Sequence, residues 1–248
     1  MLRTRVIPCL LLKNESLVKT VKFKEYNYIG DPVNTVRIFN ELEVDELMFL
    51  DIFASKEGNS INFKILKDIA NECFMPLSYG GNIKSLDDAK KIFKIGFEKV
   101  VINSNAFDNL KLIEEISKYF GAQSIVGSID IKQSFFGGQK VYSHHGKKKQ
   151  SIGIVEWAIQ LEKAGVGELL ITSVDKEGSW DGYDVELIKS ITHSVQVPVI
   201  ANGGCGAVEH IGEVVKKANA SACAVGSMVV YQKKAMGVHV NFPDREIL

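Results

Sequence analysis

The chain has 248 residues, and its 30 basic and 30 acidic side chains cancel to a formal net charge of zero. The balanced charge argues against a broad nucleic-acid surface, and no apolar run is long enough to predict a membrane span or a signal segment. The length matches the roughly 250 residues of a (β/α)8 barrel, and no linker rich in proline or serine divides the chain. We therefore expect one cytoplasmic domain over residues 1–248, with small-molecule or protein partners.

Short apolar runs rich in β-branched residues alternate with helical patterns along the chain. In chain order these runs are RVIPCLL, ELMFLDI, MPLSYGG, KVVINS, SIVGSID, ELLITSV, VPVIANGG and SACAVGS. Continuous apolar runs are typical of parallel strands that are buried on both faces, and alternating strands and helices connect such a sheet. The fold class is therefore α/β, either a TIM barrel or a doubly wound open sheet.

Local signals mark some of the element ends. Ser85 and Asp88 have the spacing of a capping box, and Gly96 is placed to end the helix that follows. The last helix is different, because YQKKAMGVHVNFPDREIL contains the breakers Gly237 and Pro243. We expect a shortened or irregular C-terminal segment after residue 231.

The two halves of the chain repeat each other. FLDIFAS, PLSYGG and VVINSN in the first half correspond to LLITSVDKEGS, PVIANGG and CAVGSM in the second. Gly80 and Ser104 are 24 residues apart, and so are Gly203 and Ser227. A two-fold repeat over all the strands favours a barrel built from two duplicated half-barrels over an open sheet.

Glycines and hydroxyl residues follow several strands, where a barrel carries its active face. Glycine lets backbone N–H groups approach an anion, a helix start adds a positive dipole end, and a hydroxyl adds one donor. One glycine pair would indicate only a turn, but two pairs in matching register predict two phosphate cradles and a small molecule with two phosphates. The first cradle comprises Gly80, Gly81, Asn103 and Ser104; the second comprises Gly178, Ser179, Gly203, Gly204, Gly226 and Ser227.

Candidate proton-transfer groups also follow strands. These are Asp51, Asp130, Lys132 and Asp175. Lys19, on the first long loop, could reach over a bound phosphate. Helix capping or loop anchoring remains an alternative role for Asp51 and Asp175. The repeat predicts an acid at the end of the first strand as well, but Leu11 stands there. No metal or other cofactor is expected, because the histidines lack the spacing of a metal site.

Charged residues begin four of the strands, and we call them the floor quartet: Arg5, Glu46, Lys99 and Glu168. Opposite charges at these positions could close the bottom of a barrel as a ring. Charges at the bottom usually indicate stability or solvation, and the residues alone leave that alternative open.

Taken together, these residues resemble the cyclase subunit of imidazole glycerol phosphate synthase. The similarity runs from Met1 to about Val230 and rests on RVIPCL, GDPV, DELMFLDI, YGGNI, KVVINS, SIDIK, GELLITSVDKEG, GYD and GGCGAVEH, in the family's order and spacing. The resemblance implies a barrel that pairs with a glutaminase subunit, and it implies that the floor quartet is the gate through which ammonia enters. It also implies that Glu98 and Gln123, beside that floor, contribute to docking.

The active face departs from the family pattern. The resemblance implies two aspartates, at the ends of the first and fifth strands, as general acid and base. Asp130 is kept, but Leu11 replaces its partner and cannot transfer a proton, a loss that typically costs about 10²- to 10⁴-fold in rate. Asn82 stands in place of a third glycine in the first cradle, and Trp180 crowds the second.

These departures favour a paralogue over the histidine-pathway enzyme. One branch of the family accompanies a glutaminase and a sugar amidotransferase in surface-polysaccharide gene sets. The leading interpretation is that the chain docks a glutaminase and passes its ammonia through the barrel for amidation of a surface-polysaccharide sugar. One alternative is an active cyclase that forms imidazole glycerol phosphate and AICAR from PRFAR and ammonia, with Asp130 assisted by Lys19, Asp51 or water. Another is a non-catalytic glutaminase activator.

One further segment carries charge after the fifth strand. It contains His144, His145 and the lysines at 147–149. The segment could contact the acceptor enzyme or an anionic sugar nucleotide, and a solvated charged loop is the alternative.

Overall fold

The computed structural model describes residues 4–54, 60–134 and 137–244. Its strands are β1 (Arg5–Lys13), β2 (Ser16–Thr20), β3 (Tyr26–Gly30), β4 (Leu47–Asp51), β5 (Leu77–Gly80), β6 (Lys99–Ile102), β7 (Ile125–Gln133), β8 (Gln139–Ser143), β9 (Lys148–Lys149), β10 (Glu168–Ser173), β11 (Val199–Asn202) and β12 (Ala222–Val225). Its helices are α1 (Pro32–Glu41), α2 (Phe63–Glu72), α3 (Leu86–Ile95), α4 (Ser104–Asp108), α5 (Lys111–Phe120), α6 (Ile154–Ala164), α7 (Val185–Thr192), α8 (Val208–Ala218) and α9 (Ser227–Val230), with a 3-10 turn at Ala122–Ser124.

Eight of these strands form a closed parallel barrel. In order around the barrel they are β1, β4, β5, β6, β7, β10, β11 and β12. The barrel closes because β1 pairs in parallel with both β4 and β12. Helices lie between successive barrel strands, so the predicted (β/α)8 fold is confirmed and the open sheet is excluded.

Strand β1 shows how the sequence pattern places the core. Successive side chains of a strand point to opposite faces. Ile7 and Cys9 belong to the cluster inside the barrel, whereas Val6 and Leu10 pack in the layer between the barrel and its helices. The inward positions of β1 therefore run from Arg5 at the floor to Leu11 at the mouth.

The capping box of α3 is confirmed. The backbone N–H of Asp88 donates to Ser85 Oγ at 3.1 Å, and the backbone N–H of Ser85 donates to Asp88 Oδ2 at 3.1 Å. Gly96 ends the helix with φ 122°, a conformation that costs glycine little. These contacts satisfy backbone donors at the helix start and fix where α3 enters the outer layer.

Two antiparallel hairpins extend the barrel strands, and the sequence analysis did not predict them. The β2–β3 hairpin pairs with β1, and the β8–β9 hairpin pairs with β7. Lys19 therefore lies in strand β2 and not on a loop. His144 and His145 lie in the turn between β8 and β9. Because both hairpins leave the carboxyl ends of barrel strands, they rise over the mouth.

After β12 the chain forms the four-residue helix α9. A segment follows that makes one isolated antiparallel bridge between Tyr231 and Val238. In the part of the chain that the structure describes, no helix has the length and apolar character needed to cross a membrane.

Candidate functional site

A cavity opens at the mouth of the barrel, with an empty volume of about 1120 Å³ that includes space open to solvent. The ends of all eight barrel strands contribute to its lining, which is why residues far apart in sequence meet there. It brings together most of the predicted cradle residues: Gly80, Gly81, Asn103, Ser104, Gly178, Gly203, Gly204, Gly226 and Ser227. Ser179 does not line the cavity, and its Oγ instead accepts from the backbone N–H of Asp181 at 3.2 Å.

Glycine is required at two cradle positions because the surroundings leave no room for a side chain. A Cβ at Gly81 would lie 2.7 Å from Asp51 Cβ, and one at Gly203 would lie 2.6 Å from the Ser173 carbonyl oxygen. Gly203 also has φ +92°, a backbone conformation that favours glycine. The backbone itself therefore forms the cavity wall at these positions.

The helices that follow the cradles are short. Helix α4 has five residues and α9 has four. A helix of one turn carries little macrodipole, so the dipole contribution expected from the sequence is small here. Anion binding would depend on backbone N–H groups and on the hydroxyls of Ser104 and Ser227.

Asp130 lies at the end of β7, where it is 7% exposed and lines the cavity. Burial raises the pKa of its carboxyl to about 7, although a hydrogen bond from Asn103 Nδ2 at 2.9 Å acts in the lowering direction. Near neutral pH both protonation states are therefore populated, which suits a group that gives and takes protons. Asn103 Oδ1 is buried without a hydrogen-bond partner among the described residues, and could accept from a ligand.

The wild-type protein should lose stability as the pH rises through the titration range of Asp130, and the Asp130→Asn variant should not. The unfolded carboxyl titrates near 4, whereas the folded one titrates at about 7. Between these values the folded state holds the extra proton, so the free energy of unfolding falls with rising pH, by up to about 4 kcal/mol in total. Urea unfolding across this range would measure the fall, and parallel profiles for wild type and variant would contradict the raised pKa.

Leu11 lies on the opposite side of the barrel, because β1 and β7 are four strands apart in either direction. Its side chain is 8% exposed and lines the cavity beside Leu50, its register partner on β4. The mouth is therefore chemically asymmetric, with a carboxyl group on the β7 side and an aliphatic wall on the β1 side.

Lys19 and Glu177 form a buried ion pair at the cavity edge, with both side chains 8% exposed. Lys19 Nζ also donates to the Thr20 carbonyl oxygen at 2.9 Å. Glu177 Oε2 accepts from the backbone N–H of Phe23 at 3.2 Å, which ties the β2–β3 turn to the loop after β10. The sequence analysis missed Glu177. The only sequence feature that marks Glu177 is its position directly before the cradle glycine Gly178.

Asp51 and Asp175 both anchor loops. Asp51 Oδ1 accepts from the backbone N–H groups of Phe53 and Ala54 at 3.0 and 2.9 Å. Asp175 Oδ2 accepts from the backbone N–H of Gln133 at 2.6 Å. Asp51 also lines the cavity, whereas Asp175 and the predicted Lys132 do not. These hydrogen bonds favour the anchoring alternative for both aspartates, and a role in proton transfer stays a prediction.

The floor quartet forms a closed ring of alternating charges at the opposite end of the barrel. The Arg5 guanidinium lies 2.9 Å from a carboxylate oxygen of Glu46 and 2.7 Å from one of Glu168. Lys99 Nζ lies 3.1 Å from Glu46 and 3.3 Å from Glu168. Ser78 Oγ donates to Glu46 at 2.8 Å. Because each acid contacts both bases, the side chains together cover the floor of the barrel.

Comparison with known proteins identifies the family. A family model described as histidine biosynthesis protein matches residues 5–235. A protein of Pseudomonas aeruginosa is 49% identical over 244 residues, which cover 98% of this chain and 97% of that protein, and it carries the provisional name imidazole glycerol phosphate synthase subunit hisF2. The chain belongs to the HisF-like imidazole glycerol phosphate synthase cyclase subunit family. The imidazole glycerol phosphate synthase subunit HisF of Methanococcus vannielii is 39% identical to this HisF-like chain, over 94% of the chain and 93% of the relative.

The family assignment confirms the resemblance that the sequence motifs carried. It does not by itself assign an activity, because this HisF-like chain has Leu11 where an acid was expected. Phe23, His145 and Glu177 are among the cavity-lining residues that the sequence analysis had not placed there. Among the described residues, no group of three or more histidine, cysteine, aspartate or glutamate side chains is arranged to hold a metal ion.

Proposed function

We propose that this HisF-like protein docks a glutaminase subunit on its floor, receives the ammonia released there, and passes it along the barrel to an acceptor at the mouth. The observation that carries the proposal lies on one strand. Arg5, at the floor end of β1, joins the closed ring of charges, whereas Leu11, at the mouth end, supplies no acid. The ring of charges supports ammonia uptake at the floor, and the missing acid supports a weakened cyclase site at the mouth.

The barrel interior suits the passage of neutral ammonia. Apolar side chains fill it between the floor and the mouth: Ile7, Cys9, Met48, Val101, Val126, Leu170, Ile200, Ala222 and Ala224. Burying an ammonium ion among such groups would be costly, whereas neutral ammonia pays a much smaller penalty. An apolar interior therefore favours the passage of neutral ammonia, which is the nucleophilic form, over the ammonium ion. Ammonia would enter when side chains of the floor quartet separate transiently.

The floor also offers an exposed surface for a protein partner. Glu98 and Gln123 are exposed beside the quartet. Phe74, in the loop before β5, is 88% exposed, and Tyr119, near the end of α5, is 61% exposed. Exposed aromatic side chains among polar neighbours are typical of protein interfaces. We assign this face as the docking surface for the glutaminase because the floor quartet lies on it.

The ammonia acceptor in this proposal is a sugar of a surface polysaccharide. A sugar amidotransferase that binds at the mouth of the barrel would amidate it. The cradles support a phosphorylated small molecule there, since their glycines and serines line the same cavity as Asp130. Leu11 and Asn82, which line the cavity, support a ligand that differs from the histidine-pathway substrate; Trp180, predicted to crowd the second cradle, does not line the cavity. The exposed lysines 147–149 would favour an anionic ligand or partner.

One observation favours a second candidate, an active cyclase. Asp130 has a pKa of about 7 and a hydrogen bond to Asn103, a residue of the first cradle. A single carboxyl group with this pKa could act as acid and base in turn. In this function the protein would convert PRFAR and ammonia to imidazole glycerol phosphate and AICAR, at a reduced rate.

Lys99→Ala tests the uptake of ammonia. The variant removes the base that contacts both Glu46 and Glu168, so we expect glutaminase stimulation or ammonia transfer to change severalfold while the fold stays intact. The measurement is glutamine hydrolysis by a family glutaminase and the amidated sugar formed by the sugar amidotransferase, with and without this protein. Lys67→Ala, an exposed lysine on α2, is the matched control.

Three outcomes separate the candidates. Absence of complex formation with the glutaminase would overturn the docking proposal. Stimulated hydrolysis that yields no more amidated sugar than free ammonia does, unaffected by Lys99→Ala, would support a non-catalytic activator and remove the gate assignment. Amidated sugar formed from glutamine beyond the yield from free ammonia, lost in Lys99→Ala but not in Lys67→Ala, supports delivery through the barrel.

A further inference from the structure

Large apolar side chains are exposed on two segments at the rim of the barrel mouth. One segment is the β2–β3 hairpin, and the other is the C-terminal segment after α9. We call these side chains the rim patch: Val21, Tyr26, Tyr28, Met236 and Val238. Among the described residues, three other large apolar side chains are exposed, and two of them, Phe74 and Tyr119, lie at the floor. The mouth therefore carries the larger group of exposed apolar side chains.

Contacts between loops hold the two segments on the same side of the mouth. The side chain of Tyr231, at the start of the C-terminal segment, lies against Asn27 of β3. Lys234 pairs at 3.5 Å with Asp181, in the loop after β10. The same loop holds the β2–β3 turn through the backbone N–H of Lys22, which donates to a carbonyl oxygen of the loop at 3.0 Å. The rim patch is therefore part of one surface.

The β8–β9 hairpin joins this surface through a pair of stacked rings. Phe23 lies in the β2–β3 turn and His145 in the β8–β9 turn. Their ring centroids are 5.1 Å apart, with an interplanar angle of 7°. Together the two hairpins and the C-terminal segment form what we call the rim surface: residues 21–30, 132–134, 137–150 and 231–244.

The rim surface is strongly basic, although the chain as a whole has no net charge. Residues 21–30, 132–150 and 231–244 contain nine lysines but only two acids, Glu25 and Asp244. All of these lysines except Lys132 are exposed. A second copy of the chain would bring lysines against lysines, so charge disfavours self-association through this surface. A partner with an acidic surface would be attracted to it instead.

Strand β3 adds an open edge to the rim surface. Among the described residues it pairs with β2 alone, and none of its five residues, YNYIG, is charged. Native proteins usually protect an exposed strand edge with charged side chains or cover it. Tyr26 and Tyr28 lie on the same face of the strand, since they are two residues apart. Exposed rings on an uncharged edge fit a protein partner better than a nucleic acid, which is held mainly through charge.

We propose that the rim surface docks the enzyme that accepts the ammonia, and that this partner presents acidic side chains around an apolar centre. The inference rests on the proposed delivery of ammonia, because it places the acceptor enzyme where the barrel interior ends. The glutaminase does not compete for this surface, since its proposed docking face lies at the floor. The rim patch would form the apolar centre of the interface and the lysines its charged border, as is typical of protein interfaces.

The experiment is biolayer interferometry with the full chain immobilised and the purified sugar amidotransferase that accompanies this branch of the family as the probe. Tyr28→Ala removes a ring that is 66% exposed and should weaken binding about 10-fold or more, the usual effect of truncating a tyrosine at an interface centre. Tyr119→Ala, with similar exposure at the floor, is the matched control and should leave this affinity within twofold of wild type. Lys148→Glu should slow association severalfold at low salt and much less at high salt.

Binding of the glutaminase by Tyr28→Ala, as strong as by wild type, would show that the variant is folded. Unchanged affinity of Tyr28→Ala for the amidotransferase, or an equal loss in Tyr119→Ala, would overturn the inference and leave ammonia delivery standing. Dimers of the protein that dissociate in Tyr28→Ala would assign the rim patch to a second copy and also overturn it. A wild-type protein that binds the glutaminase but not the amidotransferase would overturn it as well, whereas failure of ammonia delivery itself is measured separately with Lys99→Ala.

Discussion

Leu11→Asp should raise ammonia-dependent turnover of PRFAR by about 10²- to 10⁴-fold, the usual contribution of a positioned acid or base. The substituted carboxyl group would enter the cavity at the mouth end of β1, across the barrel from Asp130. Leu11 is 8% exposed, so burial would raise the pKa of the new carboxyl group, as it does for Asp130. A second carboxyl group across the cavity from Asp130 would restore an acid and base pair.

The assay uses ammonium salt at high pH, where enough neutral ammonia is present without a glutaminase. Leu11→Asn is the matched control, since it has nearly the size and polarity of the aspartate variant but cannot transfer a proton. Turnover by the wild-type protein near that of an authentic cyclase would contradict the delivery proposal and support a histidine-pathway enzyme. If neither protein turns over, Leu11 alone does not account for the loss of cyclase activity, and ammonia delivery remains the function proposed.

The barrel could be predicted from the sequence because each of its strands is a continuous apolar run and the runs repeat in two halves. Local chemistry also fixed particular ends, as at Ser85 and Asp88, where both capping hydrogen bonds form. The two hairpins were missed because most left-handed positions in their turns are occupied by residues other than glycine, although Gly146 lies in the second turn. Lys22 and Phe23, like His144 and His145, adopt left-handed conformations that their sequence does not favour.

The position of most cradle residues at one cavity could be predicted because they directly follow strands, whose carboxyl ends meet at one face of a barrel. Their binding of phosphate stays a prediction. The ion pair of Lys19 and Glu177 could not be predicted, since its members are 158 residues apart and only the closed barrel brings them together. The same holds for the stacking of Phe23 on His145. Contacts between loops of different half-barrels depend on tertiary geometry. The sequence therefore predicts the residues at the strand ends of the site but not the turns that cover it.

Glu177→Ala should destabilise the protein by about 3–5 kcal/mol, because it leaves the buried ammonium group of Lys19 without its carboxylate. Lys19 is 7% exposed, and its ammonium group would keep only its hydrogen bond to the Thr20 carbonyl oxygen among the described residues. The backbone N–H of Phe23 loses its acceptor as well. Chemical denaturation at neutral pH measures the free energy of unfolding, and hydrogen exchange at the amides of the β2–β3 turn should become faster.

The double variant with Lys19→Met and Glu177→Leu distinguishes the loss of the whole ion pair from the loss of one partner. Replacing both members of a buried ion pair by apolar residues of similar size is often neutral or stabilising, so the double variant should recover most of the stability lost in Glu177→Ala. Glu72→Ala is the exposed control, since Glu72 pairs with Arg37 at 2.9 Å on the surface, where such pairs contribute little. A loss in Glu177→Ala no larger than that in Glu72→Ala would mean that water reaches Lys19, and Lys19 would then be free to bind a phosphate without first leaving a buried partner.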